Sequence, residues 1–187
     1  MELTRSLLTE KAKEYTDEEP LYPVEAEAIE MYPSAFSEGD FGWRDTEWVV
    51  QWHYRRFLGA YPDAEHRAGE KEFGENEFET VREVIADVVA STDLNERIEG
   101  LIELEGINLP VATAFLQYID PELYLVIDER TWGVLREVGK LDDPYPDAPS
   151  VDEYREFLDT CRRTSEEFDV DLWTLYRALW RLDRSEW

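Results

Sequence analysis

Cysteine, lysine and histidine are all scarce in this 187-residue chain, and each scarcity excludes something. Cys161 is the single cysteine, so no disulfide framework is possible. It falls on the apolar side of its segment with Tyr154, Phe157 and Leu158, which reads as core and not as a nucleophile. His53 and His66 are the two histidines, thirteen residues apart and without cysteine partners, so no transition-metal site is expected. No loop has the alternating oxygen ligands and glycine of a calcium hand, and no glycine-rich phosphate loop or Gly-x-Ser-x-Gly elbow occurs. No cofactor is implied. Neither an apolar leader in MELTRSLLTEKAKEY nor a run of about 18 apolar residues is present, so a soluble, cytoplasmic chain without a membrane partner is expected.

Lysine occurs only at Lys11, Lys13, Lys71 and Lys140, and arginine supplies the other bases. Against 19 bases stand 45 acids, a formal net charge of -26. The acids are spread over nearly every polar stretch, whereas an acidic partner-binding face or nucleic-acid mimic would cluster them. Dispersed acids suit a high-salt solvent, because at about 1 M salt the screening length falls to about 3 Å and like charges cease to repel at a distance. The same screening weakens the counterion release that dominates DNA binding, so negative charge does not exclude DNA as a partner.

What is abundant is apolar and aromatic side chains, 43% and 13%, enough for a substantial core. Their spacing is helical almost throughout and predicts an all-α chain, one domain over 1–187 of two close helical lobes, with a split near 62–75 and a hairpin over 98–119. Leu3 to Tyr15 and Val24 to Tyr32 read as short helices, separated and closed by Pro20, Pro23 and Pro33. Asp45 is placed to cap the next helix, in which Trp48 and Trp52 stand one turn apart. PDAEHRAGEKEFG reads as an exposed connector, and Asn76 with Glu79 as a capping pattern. The proline-rich KLDDPYPDAPS is a linker, followed by a capping box of Ser150 and Glu153. The last helix repeats Leu172, Leu175, Leu179 and Leu182 beside Trp173 and Trp180.

The informative stretch is LEGINLPVATAFLQYIDPELYLVID, ending at Asp128. Gly106 permits a positive φ, and Asn108 either takes a second such position or caps the following helix with Pro110 in its first turn. A helix start fed by such a turn aims free amides at one place, as phosphate sites do.

LEGINLPVATAFL followed by VID resembles the hairpin motif of the endonuclease III-like helix-hairpin-helix DNA glycosylases, which runs Leu-Pro-Gly-Val-Gly-x-Lys-Thr-Ala and reaches Val-Asp at a fixed distance. Asp128 follows Pro110 by 18 residues, the family's interval from the motif lysine to its aspartate. EGxxLPxAxAxL, YxVID and the closing ALWRLDR also resemble a loosely described set of helical relatives without established activity. The resemblance implies that Gly106, Ile107 and Asn108 hold DNA backbone and that Asp128 is the carboxylate facing a base pocket. Pro110 stands where lyase-type members carry their lysine, and a Schiff base needs an amine, so the implied chemistry is monofunctional hydrolysis. Asp128 would then stabilise the sugar cation or activate water on a flipped-out nucleotide. Trp48 and Trp52, with Trp43 or Tyr54, are candidates to stack the base, and Arg55 and Arg56 to meet phosphate. A plainer reading stays open: Trp48 and Trp52 at helical spacing fit a core, and Asp128 before Glu-Arg-Thr fits an N-cap. The chain would then be a non-catalytic nucleic-acid-binding or protein-interaction module.

Overall fold

A computed structural model describes residues 2–57 and 63–183, apart from the side chains of residues 63–67; Leu58 and His66 lie outside that description. Ten helices are described: α1 Arg5–Glu18, α2 Tyr22–Glu38, α3 Trp43–Arg55, α4 Asp63–Phe73, α5 Phe78–Ala90, α6 Leu94–Ile102, α7 Leu109–Ile119, α8 Glu129–Glu137, α9 Val151–Phe168 and α10 Leu172–Leu182. No strand occurs among the described residues, and no helix among them is long and apolar enough to cross a membrane.

Helix α7 is the axis of the fold. Every residue from Val111 to Ile119 is buried, because α2, α3 and α6 cover it from different sides. A buried helix needs no amphipathic stripe, and LPVATAFLQYI has none. Its two polar members, Thr113 and Gln117, lie one turn apart on one side, and their use is described below. Elsewhere α1 lies along α10, α8 and α9 pack on α10, and α5 closes over α6. Tyr15 of α1 meets Tyr176 and Trp180 of α10 edge-on at 6.2 and 6.5 Å, so the chain's first and last helices share an aromatic core.

Several local expectations needed correction. Helix α2 extends to Glu38 with Pro33 inside it, and ends at Gly39 in a left-handed conformation. Proline removes one amide, but the packing of Phe36 and Ala28 against the core holds the helix through it. Asp45 does not cap α3 from outside. It sits at the third helical position, and its carboxylate accepts from the Gly42 amide at 2.7 Å. The charged connector is helix α4, which packs on α3 through Gly69 and Phe73. Asn76 does not cap α5; Glu77 occupies that position.

Asn76 serves the hairpin instead. Its Nδ2 donates to the carbonyls of Phe73 and Glu105 at 2.8 and 3.0 Å, and its Oδ1 accepts from the Glu105 amide at 3.0 Å. One side chain thereby ties the end of α4 to the bend between α6 and α7. Gly106 has the positive φ expected of it, 78°, whereas Asn108 is extended at φ -96° and caps α7, accepting from the Val111 amide at 3.1 Å. A second requirement also calls for glycine at 106. A Cβ there would lie 2.5 Å from the Gly69 carbonyl oxygen and 2.6 Å from the Phe73 amide nitrogen, both rigid backbone of α4. Gly106→Ala therefore combines left-handed strain with overpacking and should destabilise by about 2–5 kcal/mol. The urea midpoint, measured in molar potassium chloride, checks this; an unchanged midpoint would mean that α4 does not seat against the bend.

Candidate functional site

Between Ile119 and Asp128 the chain runs without helix or strand, turning at the surface over 120–123 and then entering the interior, where Tyr124, Leu125, Val126 and Ile127 are all buried. Such a segment must have its amides and carbonyls satisfied by neighbours. Gln117 Oε1 accepts from the Val126 amide at 3.0 Å, Thr113 Oγ1 accepts from the Ile127 amide at 3.2 Å, and the Tyr154 hydroxyl donates to the Leu125 carbonyl at 3.1 Å. The two polar residues of α7 therefore place the segment that delivers Asp128. Thr113 also donates to the Pro110 carbonyl at 2.8 Å, so the start of α7 and the approach to Asp128 share one hydroxyl.

Asp128 is the N-cap of α8. Its Oδ1 accepts from the Thr131 amide at 2.8 Å and the Thr131 hydroxyl at 2.9 Å. Its Oδ2 accepts from Arg56 Nη2 at 3.3 Å, and the two side chains are only 3% and 1% exposed. Arg56 lies over the Trp52 and Phe57 rings, 4.4 and 4.8 Å from their centroids, while its Nε and Nη1 make no hydrogen bond among the described residues. Burial works against its charge and is outweighed by the anionic and phenolic groups around it, among them Tyr176 and Asp128. At the edge of the Trp52 indole lies Glu25, also buried. Its carboxylate accepts from Trp52 Nε1 at 2.7 Å and from the Tyr15 hydroxyl at 2.9 and 3.0 Å. Burial raises the Glu25 pKa against the opposing hydrogen bonds from Trp52 and Tyr15 and the charge of Arg56.

Asp128 also lines a cleft of about 320 Å³, at the small end of ligand-pocket volumes. Asn108, Leu109 and Pro110 form one wall at the start of α7, and His53, Tyr54 and Phe57 form another. The supposed linker supplies a third, with Tyr145, Asp147, Ala148 and Pro149. That loop is held by Trp132, whose indole donates to the Asp143 carbonyl at 2.9 Å and meets the Tyr145 ring at 5.9 Å. A hollow of about 450 Å³ between α2 and α5 shares none of these residues.

The candidate residues are thus partly brought together. Asp128, Asn108 and Tyr54 share the cleft. Arg56 reaches Asp128 but is buried, so it cannot meet phosphate at the surface as expected; the carboxylate claims it. Arg55 is half exposed and pairs with Glu70 of α4 at 2.8 and 3.1 Å. Trp48 and Trp52 stack on one another at 6.4 Å and pack on Tyr118, away from the cleft lining, which corrects their placement as base stackers. Trp43 stacks on Phe73. Ile107 is buried, so it can offer a surface only its backbone. No group of three or more acids, histidines or cysteines that could hold a metal occurs among the described residues.

No protein-family model and no curated protein matches this chain. A solved structure does: the 8-oxoguanine glycosylase/lyase of Methanocaldococcus jannaschii in complex with a 15mer DNA containing 8-oxoguanine, with a TM-score of 0.51 at 18% identity. The alignment covers 94% of this chain and 96% of that one. The chain is an all-α protein with the helix-hairpin-helix DNA glycosylase fold.

Two stability outcomes follow from the buried charges. Arg56→Met leaves Asp128 as a buried carboxylate without its cation and should cost about 3–5 kcal/mol, with Asp128→Asn in the same chain restoring part of the loss. Denaturant titration of the two single variants and the double variant checks this; additive losses would contradict the pairing. Glu25, with its pKa raised in the fold, contributes stability fully present below its unfolded pKa of about 4.3 and lost as pH rises through the folded value. Glu25→Gln should therefore gain in Tm relative to the parent between pH 4 and pH 7, and a Tm difference independent of pH would refute it.

Proposed function

We propose that this chain binds damaged DNA and hydrolyses the N-glycosidic bond of an extruded nucleotide, with Asp128 as the assisting carboxylate and no lyase step. One observation carries this reading: the start of the hairpin helix and Asp128 line the same cleft, in a fold shared along nearly its whole length with a glycosylase/lyase. The cleft walls include three aromatic rings, those of Tyr54, Phe57 and Tyr145, suited to the faces of an unstacked base. At the bend, the amides of Glu105, Ile107 and Val111 are taken by Asn76, Leu104 and Asn108. Those of Gly106, Asn108 and Leu109 make no hydrogen bond among the described residues, which leaves them as donors for backbone phosphate.

In the proposed reaction the C1′–N bond breaks and its electron pair leaves with the base, which takes a proton. Water adds to C1′ and gives up a proton, yielding free base and an abasic sugar. Asp128 Oδ2 faces the developing positive charge, or accepts the proton of that water. Pro110 lines the cleft without an amine, so the abasic strand stays intact. The composition suits work in concentrated salt, where binding rests on shape and neutral amide donors more than on surface cations.

A second reading, non-catalytic binding of nucleic acid or protein, is favoured by the Arg56 ion pair. Both Asp128 oxygens are engaged, and a guanidinium at 3.3 Å cancels much of the field a sugar cation would feel. Incubation with a panel of lesion-bearing duplexes in molar potassium chloride separates the two. Base excision predicts released base, unnicked strands, and at least about a hundredfold loss in Asp128→Asn, whose side chain can still cap α8. Bound duplex without released base would decide for the module.

A further inference from the structure

Glu25 and Asp128 are both buried, and Arg56 connects them: it bonds Asp128 and lies on the Trp52 indole that Glu25 bonds. Asp128 takes Arg56 Nη2 from the cleft side. Glu25 bonds the edge of the Trp52 indole whose face carries Arg56, and the attraction between Glu25 and Arg56 opposes the effect of burial on Glu25. Arg56 Nε and Nη1 are buried donors without a hydrogen-bond partner among the described residues, so a cation with spare donors there is felt by both acids. Asp128 Oδ1 is committed to Thr131, which leaves Oδ2, the oxygen Arg56 holds, as the one with freedom to act.

We propose that Glu25 is a positioning residue for Asp128, acting through Arg56: ionised Glu25 draws the guanidinium toward itself and frees Oδ2 for the cleft, and protonated Glu25 leaves Arg56 to grip Oδ2. This deepens the glycosylase reading and, for its kinetic consequence, rests on it. The other polar groups bearing on Glu25 are known by element: the Tyr15 hydroxyl from α1, Glu19 just after it, Trp52 and Arg56 from the α3 end, Tyr118 from α7 and Tyr176 from α10. Glu19 is itself paired with Arg181 at 3.1 Å. Asp128 is felt by Tyr176 and Cys161. The phenols and the thiol all have their pKa raised by burial, so they stay neutral at ordinary pH. Arg130 of α8, paired with Asp183 at 2.9 Å, shares the Trp180 ring with Arg56 and also bears on Tyr176. Glu25 is the group whose ionisation Arg56 answers in this proposal.

The test has two arms on the full chain in molar potassium chloride. In the first, carboxyl 13C and arginine side-chain 15N resonances are followed with pH. The Arg56 and Asp128 signals should show an inflection at the Glu25 midpoint and lose it in Glu25→Gln. By reciprocity Asp128→Asn should lower the proton affinity of Glu25 about three- to tenfold. Tyr15→Phe, which removes a donor to the Glu25 carboxylate, should move the midpoint and the Asp128 inflection upward together. A Glu25 midpoint unmoved by Asp128→Asn, or Arg56 signals flat through it, would overturn the proposal even if every variant lost stability. In the second arm, base release should rise with pH through the Glu25 midpoint, and Glu25→Gln should flatten that limb and cut the high-pH rate about tenfold. Absence of release from every lesion would defeat the glycosylase reading alone, because the resonances still decide the coupling. Release with an unaltered pH limb in Glu25→Gln would overturn the kinetic half of the proposal.

Discussion

The ion pair between Arg56 and Asp128 is the constraint on which the site depends. It joins the end of α3 to the start of α8, 72 residues further along the chain, with both charges out of water. Such a pair adds little stability over an apolar substitute of equal volume, yet losing either partner strands a charge in the interior. It acts as a register pin. With Arg56 over the rings of Trp52 and Phe57, the carboxylate of Asp128 is held at the cleft wall with one oxygen on the guanidinium.

The pin works because α7 has already brought Asp128 close. A buried, irregular segment is costly unless its backbone is satisfied, and Thr113 and Gln117 supply acceptors for two successive amides just before Asp128. The 18-residue interval from Pro110 to Asp128 thereby acquires a physical meaning. It is the length of α7 plus the return along its flank, so a helix start and a carboxylate separated in sequence meet at one cleft. Asn76 and Gly106 do the equivalent work on the other side of the hairpin, seating the bend against α4 so that its direction is fixed.

Helix type and the hairpin were legible in the sequence because their causes are local. The caps at Asn108, Asp128 and Ser150 each accept from an amide three residues ahead, a contact that spacing foresees, although the same pattern misplaced Asp45 and Asn76. What escaped was set by partners far along the chain. Arg56 and its neighbour Arg55 read alike in the sequence; only the tertiary fold turns one outward to Glu70 and the other inward to Asp128. Tyr145 and Asp147 were hidden in a proline-rich stretch that folds back under Trp132. Glu25 carried one faint signal, an acid among alanines on a helix with a buried side. Thr113 and Gln117 carried a stronger one, polar residues one turn apart in a helix otherwise apolar all round.

The distribution of charge constrains the proposed hold on a polyanion. Its net charge opposes DNA at long range in dilute buffer, and its arginines are largely engaged: Arg55 with Glu70, Arg56 with Asp128, Arg181 with Glu19. Surface cations are therefore poorly placed to provide the attraction. Neutral donors with fixed direction, such as unpaired amides at a helix start, lose little to salt, because their interaction with phosphate is short-ranged and needs no displaced counterion. A hairpin whose bend is clamped by Asn76 and packed under α4 has the directional rigidity that such contacts require. Arg56, by contrast, is buried beside the cleft's carboxylate, so its field is not screened away and acts on Asp128 in any salt.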